Sequence, residues 1–177
     1  MKKFELTAES KINIFGKKLF RIKALISFGN VKAGETGGWV EKEENVNQSG
    51  NAWVSGNARV SGDAWVSGDA LVSGDALVSG NAEVSGDARV SGDARVSGNA
   101  EVSGNADYTT IHGFGTQFRT TTFFKCKDKK IRVSCGCFFG TIPEFREQVK
   151  NTRKGKTAEE YLMIADLMEK HFAEEAK

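Results

Sequence analysis

The chain has 177 residues, with 25 Lys plus Arg against 23 Asp plus Glu and a formal net charge of +2. That length supports one or two small domains with a real core, and a balance so near neutral excludes a whole-chain electrostatic design for nucleic acid or membrane. Two His leave little scope for metal or acid–base chemistry, and three Cys are too few for a disulfide scaffold, so a reducing cytoplasm is the expected compartment.

No apolar run approaches the roughly 18 residues of a membrane span. The opening, Met1-Lys2-Lys3-Phe4-Glu5-Leu6-Thr7, has no apolar stretch of the kind a signal peptide needs, so none is expected. Two apolar runs follow, Ile12-Asn13-Ile14-Phe15 and Leu19 to Ile26, around a turn at Gly16-Lys17. They predict a hairpin or a short antiparallel sheet. Residues 1–48 are therefore expected to form N-terminal strands that cap what comes next.

From Ser49 to Asp107 one six-residue phrase repeats: Ser-Gly-Asn/Asp-Ala-X-Val. Val recurs from Val54 to Val102, and Ala stands two residues before each. Ala-X-Val alternates, which predicts a short strand with Ala and Val on one face. Ser-Gly-Asn/Asp is turn chemistry, because Gly and Asn tolerate positive φ and Ser and Asp bond nearby backbone. A strand and a corner every six residues make a polygon, and a stacked polygon is a β-solenoid with parallel strands about 4.8 Å apart. Val40 and Val46 keep the beat, but the next Val comes eight residues later, so a two-residue insertion interrupts the first coil.

The phrase resembles the hexapeptide repeat of left-handed parallel β-helix proteins, with an aliphatic residue at i and a small one at i+4, as in Val54 to Ala58 and Val60 to Ala64. Phe28-Gly29-Asn30-Val31-Lys32-Ala33-Gly34 with Gly37-Gly38-Trp39-Val40 is similar to the opening of bacterial and prophage hexapeptide proteins labelled acetyltransferase-like. The resemblance implies a left-handed triangular coil of 18 residues per turn. The outward X residues then sort onto three faces: Trp53, Leu71, Arg89 and Asp107; Arg59, Leu77 and Arg95; Trp65, Glu83 and Glu101. Early coils are apolar outside and late coils charged. An exposed apolar patch of that kind needs a cover: another segment of this chain packing over it is the favoured reading, and a dimer or partner interface is the alternative.

Residues 108–177 depart from the phrase. Runs Gln117 to Cys126 and Ile131 to Phe139 predict a hairpin around Lys127-Asp128-Lys129-Lys130. Thr141-Ile142-Pro143-Glu144 is a capping box, and Phe145 and Val149 mark the face of the helix that it starts. Thr157-Ala158-Glu159-Glu160 predicts the start of a second helix, with Tyr161, Ile164, Ala165, Met168 and Phe172 at helical spacing. The fold class expected is mainly β: a left-handed parallel β-helix (1–48 cap, 49–107 solenoid) with a C-terminal α+β module (108–177) of a hairpin and two helices. Nine bases against six acids, three against eight, and thirteen against nine divide the three segments, so an acidic rod lies between basic ends.

No residue is assigned a catalytic role. The acyltransferases that the repeat resembles use a trimer, a loop excursion and a His base, whereas here the beat runs unbroken and His112 lies just past it. Cys126, Cys135, Cys137 and His112 offer four zinc ligand types, but a lone C-x-C is weak spacing. A turn at Asp128-Lys129 would pair Cys126 with Ile131 and place all three Cys on one apolar face, where Cys is a small buried hydrophobe. Stacked Asp corners are explained by turns bonding their own backbone. The basic hairpin tip with aromatics is read as a solvated turn rather than a nucleic-acid site. No metal and no cofactor is expected.

The function expected is a non-catalytic interaction or scaffold protein, cytoplasmic and homo-oligomeric, that binds a protein and not a membrane. The resemblance implies bacterial or phage origin and a host-encoded partner that the chain inhibits. Trp53, Trp65, Leu71 and Leu77 are the candidate contacts on the rod. Lys127, Lys129, Lys130, Arg132, Phe138 and Phe139 are the candidates on the C-terminal head. The rival readings are an acetyl-CoA-dependent acyltransferase and a small-molecule binder at an oligomer interface.

Overall fold

The structure, a computed structural model, describes residues 1–173. The last four residues of the expected C-terminal segment lie outside the described residues. β1 (Phe4–Ile12) and β2 (Lys18–Ala24) form the antiparallel hairpin, closed by Asn13, whose Oδ1 accepts from the N–H groups of Phe15 and Lys17. β3 (Thr36–Val40) lies antiparallel to β2 and parallel to the first coil below it. One strand thus ends the hairpin sheet and begins the solenoid.

Nine two-residue strands follow, one per repeat, and they stack in three parallel columns. The first column is β4 (Trp53–Val54), β7 (Leu71–Val72) and β10 (Arg89–Val90). The second is β5 (Arg59–Val60), β8 (Leu77–Val78) and β11 (Arg95–Val96), beneath β3. The third is β6 (Trp65–Val66), β9 (Glu83–Val84) and β12 (Glu101–Val102). Val54 pairs with Val72, eighteen residues on. Val40 pairs with Val60 and Val46 with Val66, twenty residues on, which is where the two-residue insertion falls. The repeat Ala and Val side chains are buried in every coil and make a continuous core.

Parallel stacking makes the two ends of the rod chemically different. The N–H of each coil donates to the carbonyl of the next, as from Trp53 to Ala70 (3.0 Å) and Ser55 to Val72 (2.8 Å). The first coil is left with carbonyls and the last with N–H groups, each costly to bury unpaired. Donors seal the first end. Lys3 Nζ reaches the carbonyls of Ala52 (2.8 Å) and Gly50 (3.3 Å), and Asn45 Nδ2 those of Ala64 (2.8 Å) and Gly62 (3.1 Å). Acceptors seal the other. Arg89 N donates to Asn105 Oδ1 (2.9 Å), Arg95 N to Thr122 Oγ1 (3.0 Å), and Ser103 N and Gly104 N to Asp107 Oδ2 (3.0 and 2.9 Å).

Lys3 is 2% exposed, and burial pushes its ammonium down to about 8. Between that value and the usual 10.5, the unfolded chain binds the proton that the folded chain has lost, so the Lys3 contribution to stability rises with pH. Measured against Lys3→Met, the wild-type chain should gain about 2 kcal/mol between pH 7.5 and pH 10. Urea unfolding at both pH values checks this; parallel curves for the two proteins would contradict it.

After a 3-10 turn at Asn105–Asp107, four strands form one antiparallel sheet in chain order: β13 (Tyr108–Phe114), β14 (Arg119–Lys125), β15 (Ile131–Cys135) and β16 (Phe138–Thr141). The expected hairpin is the β14–β15 pair within this wider sheet. One sheet face seals the rod: Phe124 and Cys126 join the solenoid core, and Cys126 bridges to Ala100. The other face carries Phe123 and Val133 against the helices.

α1 (Ile142–Thr152) starts at the expected box, with Thr141 N donating to Glu144 Oε2 (2.7 Å). α2 (Gly155–His171) starts two residues before the expected Thr157, with Lys154 as its cap and no side-chain capping bond. Only Arg153 and Lys154 separate the helices, so Thr157 lies inside the first turn. Tyr161, Ile164, Ala165 and Met168 are buried against Phe145 and Val149, with Phe172 half-buried beside them.

Candidate functional site

The outward residues of the rod meet three different fates. Trp53 is 2% exposed, beneath Phe28 (ring centroids 5.4 Å) and Phe4 (6.2 Å). It is core, covered by this chain, and offers no contact surface. Leu71, one rung below, packs against the same core, and Leu77 is half-buried. Trp39 heads the second column and is buried under Lys11 and Arg21, whose cationic groups lie 3.9 and 5.0 Å from its ring centre. The N-terminal strands therefore cover two of the three Trp residues.

Trp65 differs. It stands 40% exposed on the third face, where no N-terminal strand lies against it. Glu43, Glu44 and Gln48 line the same hollow of about 330 Å³. Glu83 and Glu101 occupy the next two rungs directly below. Glu43 pairs with Lys2 (2.8 Å) and Glu83 with Lys127 (3.2 Å), while Glu44 and Glu101 have no ion-pair partner among the described residues. The hollow is thus an aromatic wall bordered by carboxylates. Lysine and arginine heads are attracted both to the face of an indole and to such a field.

The C-terminal candidates disperse. The basic turn folds back onto the rod rather than standing free. Lys127 N donates to Asn99 O (3.0 Å), and its ammonium pairs with Glu83. Arg132 pairs with Asp128 (2.7 Å), leaving Lys129 and Lys130 exposed at the turn. Phe138 is drawn into the helix-side core, 5.4 Å from Phe145. Phe139 is half-exposed, 6.3 Å from Phe124. These six residues do not form one patch.

The Cys arrangement also departs from expectation. Cys126 N donates to Lys130 O and Lys129 N to Cys126 O, with Lys129 at φ 64°, so the turn holds three residues, not two. That shift pairs Lys125 with Ile131 and sends Cys126 to the solenoid side of the sheet. Cys135 lies on the helix side, and Cys137 is exposed. A one-residue slip of register exchanges the faces of a strand. The three thiols therefore do not converge on one ion. Burial pushes the Cys126 thiol up to about 11, in keeping with an inert core residue. His112 lies on β13, its Nδ1 3.1 Å from Thr120 Oγ1.

Stacked coils with sealed ends make this a β-solenoid repeat protein. Residues 52–68 and 82–98 match the family model described as YdcK Beta solenoid repeat. The match covers two stretches of the rod and specifies no activity. No curated protein matches the chain. No helix among the described residues is long and apolar enough to cross a membrane.

Proposed function

We propose that the chain is a non-catalytic interaction protein whose rod presents Trp65, between carboxylates, to a protein partner bearing lysine or arginine. The observation that carries this reading is the exposure of Trp65 on the one face that the N-terminal strands leave open. A large exposed aromatic with a polar rim is a usual anchor of a protein interface. The sealed ends support it further, because a rod that does not grow by end-to-end stacking offers its side. The resemblance to bacterial and prophage hexapeptide proteins supports a partner encoded by a bacterial host.

Trp65→Ala tests the reading. Trp65 lies outside the core, so its loss should change stability by less than about 1 kcal/mol. Native mass spectrometry of gently purified wild-type protein should show a stoichiometric partner that Trp65→Ala and Glu44→Lys both lose. Retention of that partner by Trp65→Ala would overturn the reading, as would a homodimer that itself buries Trp65.

A further inference from the structure

Where the C-terminal sheet crosses the last coils of the rod, a cleft of about 490 Å³ opens that shares no lining residue with Trp65's hollow. Arg95, on the last rung of the second column, forms one wall. Arg119, the first residue of β14, forms the other, its guanidinium running beside Gly136, where a Cβ would lie 2.5 Å from Nη1. Neither arginine has a carboxylate within ion-pair distance among the described residues. Lys17, Lys42, Lys125 and Lys127, which border the rod, are neutralised by Glu41, Asp63, Asp107 and Glu83, whereas Arg95 shares its lack of an ion pair among the described residues with Arg59 and Arg89 and differs from them in facing a second arginine across a cleft. Each guanidinium presents a fork of N–H donors that takes up phosphate oxygens bidentately, and two of them flank this cleft.

The rest of the cleft adds a second kind of surface. Phe118 lines it and is 65% exposed, at φ 48°, a left-handed conformation that costs a bulky side chain free energy. A Phe held out of the core in that way presents a free ring face for stacking. Asp93 and Gln117 on the same walls supply acceptors and a donor for hydroxyl or amino groups, and His112 supplies a ring nitrogen.

We propose that this cleft binds a mononucleotide, with Arg95 and Arg119 on the phosphate and Phe118 stacked on the base. The combination selects a flat heterocycle joined to a dianion over either part alone, and it sits within a single chain, requiring no partner subunit. It stands independently of the Trp65 reading. Because the arginines are solvated, binding should weaken as salt rises.

The test is isothermal titration of the full-length protein with AMP and with inorganic phosphate, in low salt and in 0.5 M NaCl. AMP should bind at least tenfold more tightly than phosphate, and more weakly in high salt. Arg119→Gln and Arg95→Gln should each weaken AMP binding about tenfold or more. Phe118→Gly relieves the backbone conformation and keeps the fold, so it should reduce AMP binding to the level of phosphate. Equal affinity for AMP and phosphate would overturn the proposal, as would absence of AMP binding or unchanged binding in Arg119→Gln with its melting temperature intact.

Discussion

Phe124→Ala is expected to destabilise the chain by about 3–5 kcal/mol, the range for emptying a fully buried phenylalanine site. Phe124 has 0% exposure and belongs to the solenoid core although it comes from the C-terminal sheet. It is the plug over the last Val and Ala rung. Its loss leaves a cavity where the rod ends and weakens the seating of Thr122 and Cys126 beside it, so the variant should also self-associate through the opened end. Phe139→Ala is the control. Phe139 is a neighbouring ring on the same sheet but 48% exposed, and its removal should cost about 1 kcal/mol. Urea unfolding with size-exclusion chromatography reads both effects; equal losses for the two variants would show that Phe124 is not the plug.

Gly74→Ala should cost about 3 kcal/mol, more than an exposed corner residue ordinarily does. Two effects add. Gly74 has φ +69°, which any L side chain adopts at a cost, and a Cβ there would stand 2.9 Å from the backbone nitrogen of Gly92, one coil below. Backbone in a stacked corner cannot move aside as a side chain can. Gly92→Ala separates the two effects, because Gly92 has φ +64° with nothing within 4 Å of its Cβ position. It should show the conformational cost alone, about 1–2 kcal/mol. Identical melting curves for the two variants would remove inter-coil contact as the reason for glycine at these corners.

The rod was legible because its signal is periodic. The six-residue beat places each Val inside and each X outside, and the eighteen-residue turn that the hexapeptide resemblance implies correctly stacks Trp53 on Leu71 and Trp65 on Glu83. Even the insertion after Val46 was visible as a missed beat. Cover from within the chain is the favoured sequence reading, but the residues that provide it are not legible, since Phe4 and Phe28 arrive from segments whose path no local pattern specifies. No sequence signal marks Lys3 or Asn45, yet they seal the first coil, because the orphan carbonyls they meet exist only once the coils are stacked.

Cys126 was assigned to the wrong face for a local reason. Lys129 takes a positive φ that Gly or Asn usually marks, so the sequence shows the turn one residue short. The placement of Arg95 and Arg119 on one cleft is invisible in the sequence for a global one. The two share a cleft only because β14 lies across the last coil, where Thr122 receives the Arg95 N–H.

The opposite chemistry of the two rod ends makes the molecule extendable in discrete steps. Adding one further block of eighteen residues inside the repeat would leave the donors of the first end and the acceptors of the last facing the same kinds of partner, and would lengthen the rod by about 4.8 Å. Adding a single six-residue block would preserve every stacking contact but rotate the C-terminal sheet by a third of a turn relative to the N-terminal strands. The Trp65 hollow is tied to the first of these ends and the arginine cleft to the second. The number of repeats therefore sets not only how far apart these two surfaces lie but which way each points, and duplication of one short phrase would be enough to change the angle between them.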